Sequence, residues 1–313
     1  MNIRLFLSGL AASAALCAIP GTIRAQIFVS SFDGTIGEYT TSGTTVNPAL
    51  ISGLSFPQGI AVSGENLFVT SFGLTGNTGR IGEYTTSGAT VKPALITVLG
   101  GPSGIAVAGS DLFVAVSNVT SESSRIGKYT TSGATVNRSL IPNLGPVGDV
   151  LVSGDKLFVA NVGFGGYISE YTTSGALVNS HLVSGFGFLT GIAISGNKLF
   201  VANLGTSPGN GTIGEYTLSG IPVNPALISG LTFPTDIAVS GKDLFVVSSS
   251  TGTIGKYTIF GQTVDPALIS GLNGPGDIAV VSASVPDASS TWTLLLLALT
   301  VMFGLKLVLR RPA

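Results

Sequence analysis

Three carboxylates are the residues best placed to do chemistry. Asp149, Asp236 and Asp277 each immediately precede a short branched apolar run, Val150-Leu151-Val152, Ile237-Ala238-Val239 and Ile278-Ala279-Val280. Two other copies of that run are preceded instead by Gly59 and Gly104. If the runs gather round a common centre, the three side chains converge on its mouth, as hard oxygen donors of the kind Ca²⁺ takes. Asn161 and Asn203, which close matching Leu-Phe-Val-Ala runs, are candidate polar binding residues on the same face. The competing reading is that each Asp caps a backbone turn and never meets the others.

Other chemistries lack their residues. His181 is the sole histidine and stands where other copies carry the Ala of Pro-Ala-Leu-Ile, while the sole cysteine, Cys17, falls in the N-terminal apolar run. No Ser-His-Asp, Cys-His or zinc set can be assembled from these. The 44 glycines open no phosphate loop leading into a helix and read as turn residues. Between 26 and 284, nine basic residues face fourteen acidic ones, a net of −5, with no basic stripe, so nucleic acid is not an expected partner. Charged residues make up only 9% of the chain. A surface of Ser, Thr, Asn and Gly suits an uncharged polar ligand such as a glycan, another polymer or a protein.

The elements that must position the three Asp are repeats. An Ile-Gly-Glu/Lys-Tyr strand recurs at Ile36, Ile81, Ile126, Ile168, Ile213 and Ile254, in steps of 45, 45, 42, 45 and 41 residues. A period in the low forties made of short β-rich runs is the size of one four-stranded propeller blade. The first strand of each unit, such as Ile60-Ala61-Val62, is short with a small central residue and is expected innermost. Leu67-Phe68-Val69 and its equivalents form the second strand and are expected to pack between blades, and the Ile-Gly-Glu-Tyr run is the third. The fourth, as in Val46-Asn47-Pro48-Ala49-Leu50-Ile51, carries Pro at 48, 93, 225 and 266, which an outer edge tolerates. Loops between the second and third strands vary while the strands barely change, which marks their face as the recognition surface. The chain begins at a second strand and ends on a lone first strand, so Ile27 to about Ile51 and Ile278 to Val281 are predicted to share the last of six blades.

The pattern Pro-x-Gly-Ile-Ala-Val, Leu-Phe-Val-Ala-Asn and Arg80-Ile81 or Arg125-Ile126 resembles NHL-type six-bladed propellers, and more loosely the gluconolactonase-like group. The resemblance implies an all-β, six-bladed propeller over 26–284. In the gluconolactonase-like group a metal at the channel mouth polarises the substrate, so the resemblance also implies a metal-dependent lactonase-like hydrolase, with Ca²⁺ on Asp149, Asp236 and Asp277, as the alternative to a non-enzymatic binding or matrix protein.

Both ends read as export signals. Residues 1–25 have a basic start at Arg4, an apolar run and small residues at Ala18 and Ala25, the grammar of a secretory leader. The C-terminal 285–313 runs from Val285, Pro286 and Asp287 through a small-residue linker into an apolar span of 18 residues, Trp292 to Leu309, then Arg310 and Arg311. That span is near the ~20 residues needed to cross a bilayer, and the Arg pair should stay cytoplasmic. The arrangement resembles the VPDSG-CTERM variant of the PEP-CTERM sorting signals, which implies an exosortase-type sorting protease as partner and display at the envelope or in an extracellular matrix. Without that processing, the helix is an ordinary membrane anchor.

Overall fold

The computed structural model describes residues 25–73, 78–117 and 123–282. The expected leader, 1–25 except for its last residue, and the expected sorting tail at 285–313 with its membrane helix lie outside these residues. Among the described residues no helix is long and apolar enough to cross a membrane. Every sheet is antiparallel, and six of them make the six blades of one propeller.

Blade 1 shows the plan: inner strand Pro57–Ser63, second strand Asn66–Phe72, third strand Thr78–Thr85 and outer strand Thr90–Leu99. The inner strands of blades 2 to 5 are Gly101–Ala108, Val147–Ser153, Phe188–Ser195 and Pro234–Ser240. Each begins about three residues before the branched run that marks it in sequence, because the Pro-x-Gly stretch already pairs with the second strand. Blade 6 is the predicted composite. Its inner strand Pro275–Val281 pairs with Gln26–Ser31 in the register Ile27 to Val280, Phe28 to Ala279 and Val29 to Ile278. Thr35–Thr40 and Thr45–Ile51 complete it, so both ends of the domain lie in one sheet.

The ring is held by what the second strand does with its two faces. Successive side chains of a strand point to opposite sides, so in Leu-Phe-Val the Phe faces one neighbour while Leu and Val face the other. Phe28, Phe68, Phe113, Phe158, Phe200 and Phe245 are all fully buried. Six apolar clusters result, one for each pair of adjacent blades. At the junction of blades 1 and 2, for example, Phe68, Ile81 and Ile96 pack on Leu112, Val114 and Tyr129. The Tyr that closes each third strand folds its ring back over the residue two positions earlier. A Cβ at Gly37, Gly82, Gly127, Gly214 or Gly255 would lie 2.6–2.8 Å from that ring, so glycine is required beneath it. Blade 3 departs, with Ser169 in that place.

Charges are matched across the second and third strands of four blades. Lys128 pairs with Asp111 and Lys256 with Asp243, both at 2.8 Å, whereas Glu170 pairs with Lys156 at 2.7 Å and Glu215 with Lys198 at 2.8 Å. Where the third strand carries Lys, the second opens with Asp; where it carries Glu, the second opens with Lys in blades 3 and 4, with Gln26, which donates to Glu38, in blade 6, and with Asn66 in blade 1.

Two outcomes follow for stability. Phe113→Ala should lower the free energy of unfolding by about 3–5 kcal/mol, measured by denaturant titration, because a fully buried ring is replaced by a cavity. Lys128→Asp should cost about 1 kcal/mol through like-charge contact with Asp111, and adding Asp111→Lys should recover most of it in a double-mutant cycle.

Candidate functional site

The three Asp sit near the beginning of the inner strands, where six strands crowd round the axis. At this level the ring consists of Gly59, Gly104, Asp149, Gly191, Asp236 and Asp277 in blades 1 to 6. The glycines allow neighbouring inner strands to touch. A Cβ on Gly59 would lie 2.4 Å from the Ser103 carbonyl oxygen, one on Gly104 2.7 Å from the Asp149 Cα, and one on Gly191 2.3 Å from Asp236 Oδ1.

Where Asp replaces Gly, its carboxyl reaches the next blade. The amide of Ile192 donates to Asp149 Oδ2 at 3.1 Å, that of Ile278 to Asp236 Oδ2 at 2.9 Å, and that of Ile60 to Asp277 Oδ2 at 2.9 Å. Each bond joins one inner strand to the following one, and the bond from Ile60 to Asp277 closes the circle. The other oxygen of Asp149 accepts from its own neighbour, the Val150 amide, at 2.7 Å. Asp236 and Asp277 are neighbours on the ring, and each raises the cost of charging the pair.

Burial decides the protonation of the set. It pushes Asp149 up to about 7, with the charge of Asp277 adding to the rise and the Ile192 and Val150 amides opposing it. Burial raises Asp236 well above the usual carboxylate range, reinforced by Asp277, and raises Asp277 as well.

The ring is a waist in the channel. Above it opens a cavity of about 300 Å³ walled by Gln58, Ser103, Thr190, Thr235, Ser249 and Phe32, on the face of the variable loops. Below it lies one of about 200 Å³ walled mainly by the branched residues of the inner strands, such as Ile60, Ile105 and Ile192. The carboxyls border both spaces, so they lie inside the channel and not at its outer mouth.

Hydroxyls continue the stitching above the waist. Ser30 donates to the Gln58 carbonyl at 2.8 Å and accepts from the Asp277 amide at 2.9 Å. Thr70 donates to the Ser103 carbonyl at 2.6 Å, Ser103 to the Val147 carbonyl at 3.0 Å, Thr190 to the Pro234 carbonyl at 3.0 Å, and Ser249 to the Pro275 carbonyl. Five junctions are bridged in this way. The sixth, between blades 3 and 4, uses backbone instead, as the two-residue strand Gly163–Phe164 from blade 3 pairs with the blade 4 inner strand. Sequence reading passed over this belt. Its signal was the Ser or Thr at 30 and 70 where other copies carry Ala115, Ala160 and Ala202.

Neither asparagine lines the channel. Asn161 is 2% exposed, and its amide donates to Ser169 Oγ at 2.9 Å and the Val159 carbonyl at 3.2 Å, in the interior of blade 3. Asn203 accepts from the Phe188 amide at 3.0 Å and so pins the entry to blade 4. His181 is exposed on the outer strand of blade 3 and stacks on Tyr167, ring centroids 4.2 Å apart.

These placements do not fit a divalent cation. Ca²⁺ takes six to eight oxygens, yet both Asp149 oxygens accept amide hydrogens, and Asp236 and Asp277 each give an oxygen to an amide of the next blade. Among the described residues no group of three His, Cys, Asp or Glu is placed to hold a metal.

Compared with family models and with curated proteins, the sequence matches none. Solved structures match in fold. The nidogen/laminin complex contains a chain that is 16% identical, with a TM-score of 0.69 over 82% of this chain and 98% of that one. A gluconolactonase from Xanthomonas campestris is 16% identical, with a TM-score of 0.56 over 73% of this chain and 80% of its own. The PQQ-bound aldose sugar dehydrogenase of Streptomyces coelicolor is 13% identical, with a TM-score of 0.52 over 82% and 85%. At such identities the likeness carries the propeller fold alone.

Protonation gives a signed expectation. Because the folded pKa of Asp149 lies above the unfolded value near ~3.9, the folded state holds the extra proton between these two values. Stability from this group is full below about pH 4 and is lost as pH rises towards about 7. The melting temperature should fall across that window, and Asp149→Asn should flatten the slope even where it lowers the melting temperature. A wild-type melting temperature that rises from pH 4 to 7 with the same slope in Asp149→Asn contradicts the assignment.

Proposed function

We propose that this chain is an exported, non-enzymatic binding protein of the cell envelope or extracellular matrix, whose propeller holds a glycan, another polymer or a protein on the variable-loop face. The supporting observation is the state of the three channel carboxyls. A hydrolase working through Asp149, Asp236 and Asp277 needs free carboxylates, and here each gives an oxygen to the next blade's backbone. The constellation that looked reactive in sequence acts as a fastening for the ring. The cavity above it, mainly apolar in its exposed lining with Ser and Thr hydroxyls among its walls, opens on the variable-loop face, where a ligand would enter.

The alternative reading, a metal-dependent lactonase-like hydrolase, draws on the gluconolactonase among the structural neighbours. It would have to rearrange a closed hydrogen-bonded ring before any catalysis. Export rests on the sequence grammar of the two ends. The leader would be removed after Ala25, and an exosortase-type sorting protease would act near Val285, Pro286 and Asp287, with the apolar helix and Arg310 and Arg311 holding the precursor in the membrane until then.

Two measurements on the mature protein from producing cells test the proposal. Intact-mass spectrometry should find an N-terminus at Gln26 and a C-terminus close to Asp287. Titration with calcium should leave the melting temperature unshifted and elicit no lactone hydrolysis. A calcium-dependent rise in melting temperature together with lactone turnover would replace the binding reading with the enzymatic one, and a mature chain still ending at Ala313 would overturn processing and release.

A further inference from the structure

Two blade junctions carry the same pocket. Between blades 6 and 1, a cavity of about 310 Å³ is lined by Gly53, Leu54, Ser55, Ser71, Arg80 and Tyr84, among others. Between blades 4 and 5, one of about 260 Å³ is lined by Gly230, Leu231, Thr232, Ser248, Thr253 and Tyr257. These are equivalent positions, residue for residue: the linker entering the blade, the end of its second strand, and the start and Tyr of its third. Pro93 and Pro266, on the outer strands, match as well. Both spaces are at the small end of the ligand-pocket range, near ~300 Å³, which suits one sugar ring better than a larger molecule.

The linkers above these pockets are unusual in the same way. They read Ser-Gly-Leu-Ser-Phe-Pro at 52–57 and Ser-Gly-Leu-Thr-Phe-Pro at 229–234. Phe56 and Phe233 adopt φ of 45° and 49°, the left-handed region that bulky side chains avoid. The corresponding linker between blades 5 and 6 has Gly274 there, at φ 59°, as the conformation favours. Strain of this kind concentrates at binding sites. In the pocket between blades 6 and 1, moreover, the buried Ser55 hydroxyl has no hydrogen-bond partner within the chain.

One register position, just before the Ile of the third strand, sets the chemistry at each junction. In blade 2 it is Arg125, whose guanidinium is spent on the Leu99 carbonyl at 2.7 Å and the Arg138 carbonyl at 3.2 Å. In blade 3 it is Tyr167, covered by His181. In blade 1 it is Arg80, which lines the open pocket; in blade 5 it is Thr253, whose hydroxyl bonds that of Thr251 at 2.7 Å beside Ser248, which donates to the Thr232 carbonyl, so that these oxygens meet a ligand through their remaining lone pairs.

We infer that these are two quasi-equivalent saccharide subsites, one at blades 6 and 1 taking a carboxylate-bearing sugar unit on Arg80, the other at blades 4 and 5 taking a neutral unit. An Arg fork matches a carboxylate in geometry and charge, while Thr and Ser hydroxyls match a neutral polyol. The two junctions are separated by blades 5 and 6, so one long acidic heteropolysaccharide could occupy both and gain from their linkage. This inference rests on the binding-protein reading and names the ligand class for it.

Calorimetric titration of the mature protein with trigalacturonate and, separately, with maltotriose tests it. The wild type should bind one of each. Arg80→Gln should weaken trigalacturonate about tenfold or more and leave maltotriose unchanged. Thr253→Arg should raise trigalacturonate stoichiometry from one to two and abolish maltotriose binding, with unchanged melting curves showing that both variants fold. If trigalacturonate binds Arg80→Gln as tightly as wild type, or Thr253→Arg still binds only one, the subsites are wrong although a glycan-binding propeller survives. If neither probe binds wild type but envelope polysaccharide from the producing cells does, the subsite inference again fails alone. If nothing in that envelope extract binds either, the polymer-binding reading falls with it.

Discussion

The structure depends on how closely six inner strands can approach one axis. Their spacing is set at a single level, where each residue either has no side chain or sends one across to the next blade. Gly59, Gly104 and Gly191 permit backbone contact that a Cβ would forbid. Asp149, Asp236 and Asp277 instead reach over to the Ile192, Ile278 and Ile60 amides. The second solution puts acidic groups into a buried channel, where the charged form is penalised by desolvation. Protonation relieves the penalty, which is why burial raises all three.

Around that axis the forces divide by radius. Near the channel, adjacent blades are joined by directional bonds from Ser, Thr and Asp to backbone, which fix angle and register. Further out, the Phe and Leu of each second strand supply non-directional burial, each fully buried Phe contributing on the order of 1.5–3 kcal/mol. On the flanks of four blades, opposite charges on the second and third strands reward the correct pairing. The division explains why a domain with so few charges, and no cysteine within its described residues, can hold a ring together.

A repeated frame also exposes its exceptions. The position before the third-strand Ile is structurally equivalent in every blade yet holds Thr35, Arg80, Arg125, Tyr167, Thr212 and Thr253. Where the side chain is consumed by a neighbour, as with Arg125 and Tyr167, the junction is filled. At Arg80 and Thr253 a pocket remains. Variation on a constant scaffold is the physical form that a binding surface takes in repeat proteins. It gives the junctions here a different significance from the channel, whose variable residues are absorbed by closure.

The blade count, the composite last blade and the faces turned inward were legible in the chain, because strand alternation and repeat spacing are local properties and the sequence states them six times. Leu-Phe-Val could only be a buried second strand, and Ile27 could only meet the strand at Ile278 if the ring closed. What the side chains at the axis do was not legible. Asp149 meets an amide 43 residues away and Asp277 one 217 residues away, and a carboxyl beside a turn reads the same whether it binds a metal, caps its own strand or clasps the next blade. Asn161 likewise looks like a surface donor until the sheet turns it inward onto Ser169. Sequence spacing assigns a residue to a strand and a face; only the curvature of the closed ring decides which atom of the next blade comes within hydrogen-bonding reach.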